Sequence, residues 1–272
     1  MYKGQRIGVA VPAYNESRLI RKTLESIPSQ VDRIYFVDDA SVDNTLDIAK
    51  EADDPRIVLI RHENNRGVGA AIVTGYKRSL EENNDITAVM AGDNQMDPDY
   101  LTALLDPIAD GKADYSKGNR LSKAEFRRGM SKWRLFGNLT LSCLSRVSSG
   151  YWHIVDPQNG YTAISRRALL MLALDDIYRG YAFENDMLVR LNVQGAEVVN
   201  VQMPARYAEE KSKIGYISFI IRTSAYLLRA YAWRMWHKYF VRLRMRPPSQ
   251  IERQYGDCEV GQQNPPSEKG AT

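Results

Sequence analysis

Apolar positions along this chain fall into short runs separated by longer, half-polar stretches. RIGVAV (6–11), RIYFVDD (33–39), RIVLIRH (56–62) and ITAVMAGD (86–93) are rich in Val and Ile and predict strands. The first and fourth are apolar on both faces, the pattern of strands buried inside a parallel sheet. Between and after them, near 16–27, 43–53, 68–82 and 98–110, the spacing predicts helices. This β-α-β-α order predicts an α/β fold with a Rossmann-like, doubly wound, mostly parallel sheet. Such sheets receive ligands beyond the carboxyl ends of their strands. That rule selects Pro12–Glu16, Asp38–Ser41, His62–Gly69 and Gly92–Asp97.

The second half is less regular. Residues 130–147 and 182–194 read as helices, DPQNGY (156–161) as a turn, and YTAIS (161–165) and AEVVNVQM (196–203) as strands. A long helix is expected from 216 to about 243. After Pro247-Pro248 the composition turns polar, so 247–272 is expected to be a disordered tail. The organisation expected is therefore a domain over 1–215, an amphipathic helix over 216–246 and that tail.

Charge changes this picture in one place. The net charge is +4, yet residues 217–246 carry seven Lys/Arg and no Asp/Glu, which leaves −3 for the rest. Within 216–242, aromatic residues such as Tyr226, Trp233, Trp236 and Phe240 interleave with those cations. That mixture suits a bilayer interface and equally suits a packing or oligomer helix. No run of about 18 apolar residues occurs, so no spanning helix is expected, and no signal-peptide core precedes the first strand. Cys143 and Cys258 fit no metal spacing and are read as residents of a reducing compartment.

Several loops carry candidate chemistry. Asp38-Asp39 ends the second strand, and successive residues there point to opposite sides, so one acid is expected to face a ligand. No G-x-G-x-x-G follows the first strand, which argues against a nicotinamide cofactor. Arg66, in NNRGVGAA (64–71), is positioned for a base or a phosphate. Asp97-Pro98-Asp99 reads as a helix start: an N-cap, a proline at the first position and an acid at the positive end of the dipole. If the chain stays extended beyond the fourth strand, Ala91, Asp93 and Gln95 share a face, and Asp93 with Gln95 offers hard oxygens to Mg²⁺ or Mn²⁺. Lys211 and Lys213, in a segment of Glu, Lys and Ser, and Arg120, Arg127, Arg128 and Arg134, which precede or begin a helix, are cations suited to binding phosphate. The three histidines pair with no nucleophile at a readable spacing, and His62 is read as structural.

Taken together, VPAYNE, VDDASVDNT, NRGVGAAIVTGY, GDNQMDPDYL, GNR (118–120), DPQNGYTAISR and ARYAEEKSK (205–213) resemble family 2 glycosyltransferases of the GT-A fold. More narrowly, they resemble polyprenyl-phosphate sugar transferases of the dolichol-phosphate mannose synthase type, over about residues 5–215. The resemblance implies that Pro12, Tyr14, Glu16 and Asp39 line a nucleotide pocket, with Asp93 and Gln95 on a divalent ion. The family usually has another Asp two positions before Asp93, where this chain has Ala91. For the sugar transfer that the resemblance implies, Lys211 and Lys213 would close over the donor diphosphate, and Arg120, Arg127, Arg128 and Arg134 would hold the acceptor phosphate. Asp156, which matches the family's acceptor-site acid, is the candidate catalytic base beside Asp93, with Glu184 and Asp186 as competing acids. The expected activity is metal-dependent, inverting transfer of a sugar from a GDP- or UDP-sugar to a dolichyl or undecaprenyl phosphate. The expected location is peripheral, on the cytoplasmic side of a membrane, with no nucleic acid partner and with homo-oligomers open. Two alternatives remain: a glycan or protein-linked acceptor, and a sugar-nucleotide-binding or scaffold protein without turnover.

Overall fold

The computed structural model describes residues 1–122, 132–180, 182–206 and 216–241. Seven strands form one sheet: β1 (Ile7–Ala13), β2 (Arg33–Asp38), β3 (Ile57–Arg61), β4 (Ile86–Val89), β5 (Tyr115–Asn119), β6 (Thr162–Ser165) and β7 (Val198–Gln202). Their order is β3-β2-β1-β4-β6-β5-β7. β1 pairs in parallel with β2 and β4, as do β2 with β3 and β5 with β7. β6 alone runs antiparallel, to both β4 and β5. The sheet is thus mostly parallel, and its strand order reverses direction between β1 and β4.

Eight α-helices are described: α1 (Ile20–Ser26), α2 (Thr45–Lys50), α3 (Val68–Glu81), α4 (Leu101–Ala109), α5 (Lys132–Ser149), α6 (Arg166–Met171), α7 (Phe183–Gln194) and α8 (Tyr216–Trp236). They cover both faces of the sheet. Ile20 and Leu24 of α1, Ala49 of α2 and Leu101, Leu104 and Leu105 of α4 share a core with Ile7, Val9 and Val11. On the other face Ile72 and Tyr76 of α3, Leu169 of α6 and Leu188 of α7 pack with Tyr115 and Ile164. This two-sided burial explains the near-continuous apolar runs of β1 and β4. Residues Met1–Met235 form one compact unit, and Trp236–Thr272 are assigned to a second.

Three elements depart from the sequence pattern. The helix expected over 16–27 begins only at Ile20. Asn15 holds φ +57°, and the amides of Asn15, Glu16 and Ser17 donate to Ser41 Oγ, Thr45 Oγ1 and Asp43 Oδ2. Asn15 Oδ1 in return accepts from the Val42 amide. The loops after β1 and β2 are laced together, and those bonds replace the first helical turn. The fourth strand ends at Val89 instead of 93, because the chain turns and Asn94 takes φ +54°. β5 has no apolar run at all: YSKGN is polar in sequence, yet all five residues are buried. The tail over 247–272 lies outside the described residues.

Candidate active site

The carboxyl ends of β1 and β4, on either side of the reversal, open onto a cavity of about 610 Å³. This is the place where doubly wound sheets bind ligands, and the volume is ordinary for a small-molecule site. Pro12, Tyr14 and Glu16 line it from the β1 loop, Asp39 from the β2 loop, and Ala91 and Asp93 from the β4 loop. Four of the five residues expected around a nucleotide therefore reach one cavity.

Asp39 and Asp38 divide as adjacent strand residues must. Asp38 is fully buried, accepts from the Ser41 amide, and pairs with Arg61 Nε at 3.3 Å. Asp39 turns to the cavity side, where the amides of Arg66 and Gly67 donate to its two oxygens at 2.9 and 2.8 Å. His62 Nδ1 lies 2.7 Å from Asp39 Oδ1, and Nε2 lies 2.9 Å from Thr74 Oγ1. His62 thus fixes the orientation of Asp39 against α3. Gly67 has φ +90°, and a Cβ there would lie 2.7 Å from the Arg179 carbonyl oxygen. Glycine lets the loop after β3 close onto Arg179, whose carbonyl also accepts from the Gly69 amide. The Arg66 side chain does not enter this cavity. It lines a neighbouring groove of about 530 Å³ with Lys77 and Arg179.

Asp93 and Gln95 meet by a route other than a shared strand face. Asp93 Oδ1 accepts from the Gln95 amide at 3.1 Å, closing a turn. Both residues then line a second cavity of about 170 Å³. Asp93, Met96 and Gly160 belong to the walls of both cavities. Asp97 accepts from the Asp99 amide with Pro98 at the first position, so this acid caps the short 3₁₀ turn Pro98–Tyr100. Among the described residues no cluster of three or more His, Cys, Asp or Glu could hold a metal. One carboxylate and one amide oxygen fit an ion that arrives with diphosphate and water oxygens completing its shell, as Mg²⁺ and Mn²⁺ do.

The smaller cavity is also lined by Arg120 and Arg206. Asp156 is fully buried and takes a two-pronged contact from Arg120, Nε to Oδ2 at 2.8 Å and Nη2 to Oδ1 at 3.1 Å. Asp156 is absent from both cavity walls, so its present contacts aim Arg120. Arg206 was missed in the sequence. It is the second residue of the ARYAEEKSK motif, whose candidate cations in the sequence are the two lysines. Of the competing acids, Glu184 lines the larger cavity. Asp186 instead pairs with Arg190 at 2.8 Å and accepts from the Tyr178 amide. Arg127, Arg128, Lys211 and Lys213 lie outside the described residues; Arg134 falls on α5, where only the backbone is described.

A doubly wound sheet whose reversal point holds a nucleotide-sized cavity and an acidic turn has the layout of a GT-A glycosyltransferase. The chain belongs to glycosyl transferase family 2, whose model matches residues 8–170. A UDP-N-acetylglucosamine–dolichyl-phosphate N-acetylglucosaminyltransferase of Methanococcus voltae is 32% identical over 182 residues, 61% of this chain and 72% of that one. A polyprenol monophosphomannose synthase of Mycolicibacterium smegmatis is 30% identical over 227 residues, 79% of this chain and 82% of that one. Among solved structures, glucosyl-3-phosphoglycerate synthase of Mycobacterium tuberculosis with Mn²⁺, UDP and phosphoglyceric acid aligns with a TM-score of 0.64. It is 20% identical, and the match covers 85% of this chain and 78% of that one. The protein is a glycosyltransferase.

Proposed function

We propose that the protein moves one sugar from a nucleotide-diphosphate sugar to a polyprenyl phosphate at a membrane surface. The observation that carries this reading is the pair of cavities joined through Asp93, Met96 and Gly160. The larger one takes the donor, with the nucleotide against Pro12, Tyr14, Glu16 and Asp39. The smaller one is lined by two guanidiniums, a chemistry suited to a phosphate headgroup. The donor's anomeric carbon and the acceptor oxygen then meet at the shared wall. The names of the relatives from Methanococcus and Mycolicibacterium support a lipid phosphate as acceptor.

Asp93 and Gln95 would hold the divalent ion, which supplies positive charge to the leaving diphosphate. The chain's own contribution is largely position and charge. Asp39, fixed by His62 and two amides, orients the nucleotide. Arg120, fixed by Asp156, holds the acceptor phosphate in line. A phosphate oxygen is already ionised at neutral pH, so no side chain has to take its proton.

The membrane contact falls to α8. Ile221, Arg222, Ala225, Leu228 and Arg229 recur at helical spacing on its exposed side, mixing apolar and cationic groups. No described helix is long and apolar enough to cross a membrane. The deciding experiment incubates purified protein with UDP- and GDP-sugars, Mg²⁺ or Mn²⁺, and three acceptors in competition: undecaprenyl phosphate, dolichyl phosphate and 3-phosphoglycerate. Sugar appearing on a lipid phosphate supports the proposal. Transfer to 3-phosphoglycerate alone, the acid bound in the mycobacterial structure, would reassign the acceptor.

A further inference from the structure

Lys117 sits in the middle of β5 with no exposure to solvent. Its Nζ donates to the Asn159 carbonyl and, at 2.8 Å, to Glu184 Oε2. The Tyr115 hydroxyl donates to that same Oε2 at 3.2 Å. Burial first, and then the charge of Glu184, push the Tyr115 phenol well above its ordinary range, so it remains a donor. One oxygen of Glu184 is therefore fully engaged. To the other, Oε1, no described residue donates. A Cβ at Gly160 would sit in contact with Oε1, at 3.7 Å, and against Met96 Cε at 3.3 Å, so the glycine leaves that space in front of the carboxylate open. Glu184 lines the donor cavity together with Gly160, Gln158 and Phe183.

A buried lysine–glutamate pair is a poor way to stabilise a sheet. Apolar residues of similar volume usually do as well or better, because two ions must be desolvated. Here the pair does something an apolar pair cannot: it holds an ionised carboxylate rigidly at a cavity wall. The cavity's two ends also differ. In the strand order β2-β1-β4-β6, the β2 and β1 loops supply Asp39, Pro12 and Tyr14 at one end, the β4 loop supplies Asp93 in the middle, and Gly160, just before β6, stands with Glu184 at the other. A donor whose nucleotide lies against Asp39 and whose diphosphate lies at Asp93 places its sugar ring against Glu184.

We infer that Glu184 selects the donor sugar by accepting a hydrogen bond from a ring hydroxyl at Oε1, with Lys117 and Tyr115 as its positioning residues. The inference rests on the donor reading above. It makes Glu184 a recognition group and not the base considered among the acids in the sequence.

The test compares binding of free UDP and GDP with that of UDP-N-acetylglucosamine, UDP-glucose and GDP-mannose, by calorimetry with Mn²⁺ on the full chain. Glu184→Gln is expected to keep nucleoside diphosphate affinity and to weaken the preferred nucleotide sugar by about 10- to 100-fold, the worth of a hydrogen bond to a charged group. Discrimination between sugars should shrink by the same factor. The double variant Lys117→Met/Glu184→Leu removes both ions together and guards against misfolding from a stranded charge. It should fold, bind the diphosphate and show the same loss of sugar preference. Equal weakening of UDP and its sugar in both variants would overturn the inference while leaving the donor reading intact. So would a Glu184→Gln effect confined to kcat with an altered pH profile, the mark of a base. A wild-type protein that binds neither diphosphates nor nucleotide sugars would overturn the donor reading, and this inference with it.

Discussion

At the scale of single residues, the site is built by side chains that other side chains hold still. Asp93 and Asp97 each accept from the amide two residues further on, but Asp97 starts a 3₁₀ turn and lines only the smaller cavity, whereas Asp93 belongs to both cavity walls. Asp93→Ala is expected to abolish metal-dependent turnover, while Asp97→Asn keeps a capping oxygen and should retain most of it; steady-state rates across a Mn²⁺ titration separate the two. Arg120 and Asp156 form a similar hierarchy. Asp156→Asn removes the charge that aims Arg120. Stability should fall by about 2–3 kcal/mol, below the fully buried range because Arg120 is part exposed. Denaturant melts measure that loss, and KM for the lipid phosphate should rise in parallel. At this scale the sequence was most informative about loops. Pro12, Tyr14, Glu16 and Asp39 carry a legible pattern because strand ends announce themselves. Arg206 and Lys117 do not, since their meaning depends on partners 86 and 67 positions away in sequence respectively, as with Arg206 beside Arg120 and Lys117 bonded to Glu184.

At the scale of elements, turn geometry decides what the site sees. Gly67→Ala forces a left-handed φ on a residue with a side chain and drives its Cβ against the Arg179 carbonyl. A loss of at least about 1–2 kcal/mol follows from the backbone alone, and nucleotide affinity should drop with it, readable by calorimetry with UDP or GDP. Between α2 and β3, Arg56 donates to the carbonyls of Ile27, Pro28 and Val31 and to Asp54. That guanidinium holds the Asp54 carboxyl below its usual range. A depressed carboxyl contributes stability above its unfolded pKa and loses it as pH falls through the folded one. Thermal melts should therefore show a loss below about pH 4 that Asp54→Asn flattens. On α8, Leu228→Glu should weaken binding to anionic vesicles by about tenfold, judged from the apolar group removed. Flotation assays report it directly. Element reading from sequence succeeded where burial is two-sided and apolar. It failed at β5, whose polar residues are buried by tertiary contacts, and at the start of α1, where side chains of the next loop compete for the helix's amides.

At the scale of the whole molecule, the parallel half of the sheet and its ligand-binding edge were legible because alternation of strand and helix dictates them. The antiparallel insertion of β6 between β4 and β5 was not, since strand order leaves no local trace. That insertion matters: it brings Gly160, just before β6, against the β4 loop, and so creates the wall common to both cavities.

One helix joins the two ends of this enzyme. α7 carries Glu184 in its first turn at the wall of the larger cavity, and further along it meets α8 twice. Arg190 lies over the Trp233 ring at 5.1 Å, and Asn192 accepts from Arg234. The element proposed to touch the sugar is thus the element to which the helix proposed to face the lipid is fastened. Linkage makes this a two-way relation: if vesicles tighten donor binding by some factor, the donor must tighten vesicle binding by the same factor. Partitioning onto vesicles, measured with and without saturating nucleotide sugar, should reproduce the ratio found by titrating the donor with and without lipid.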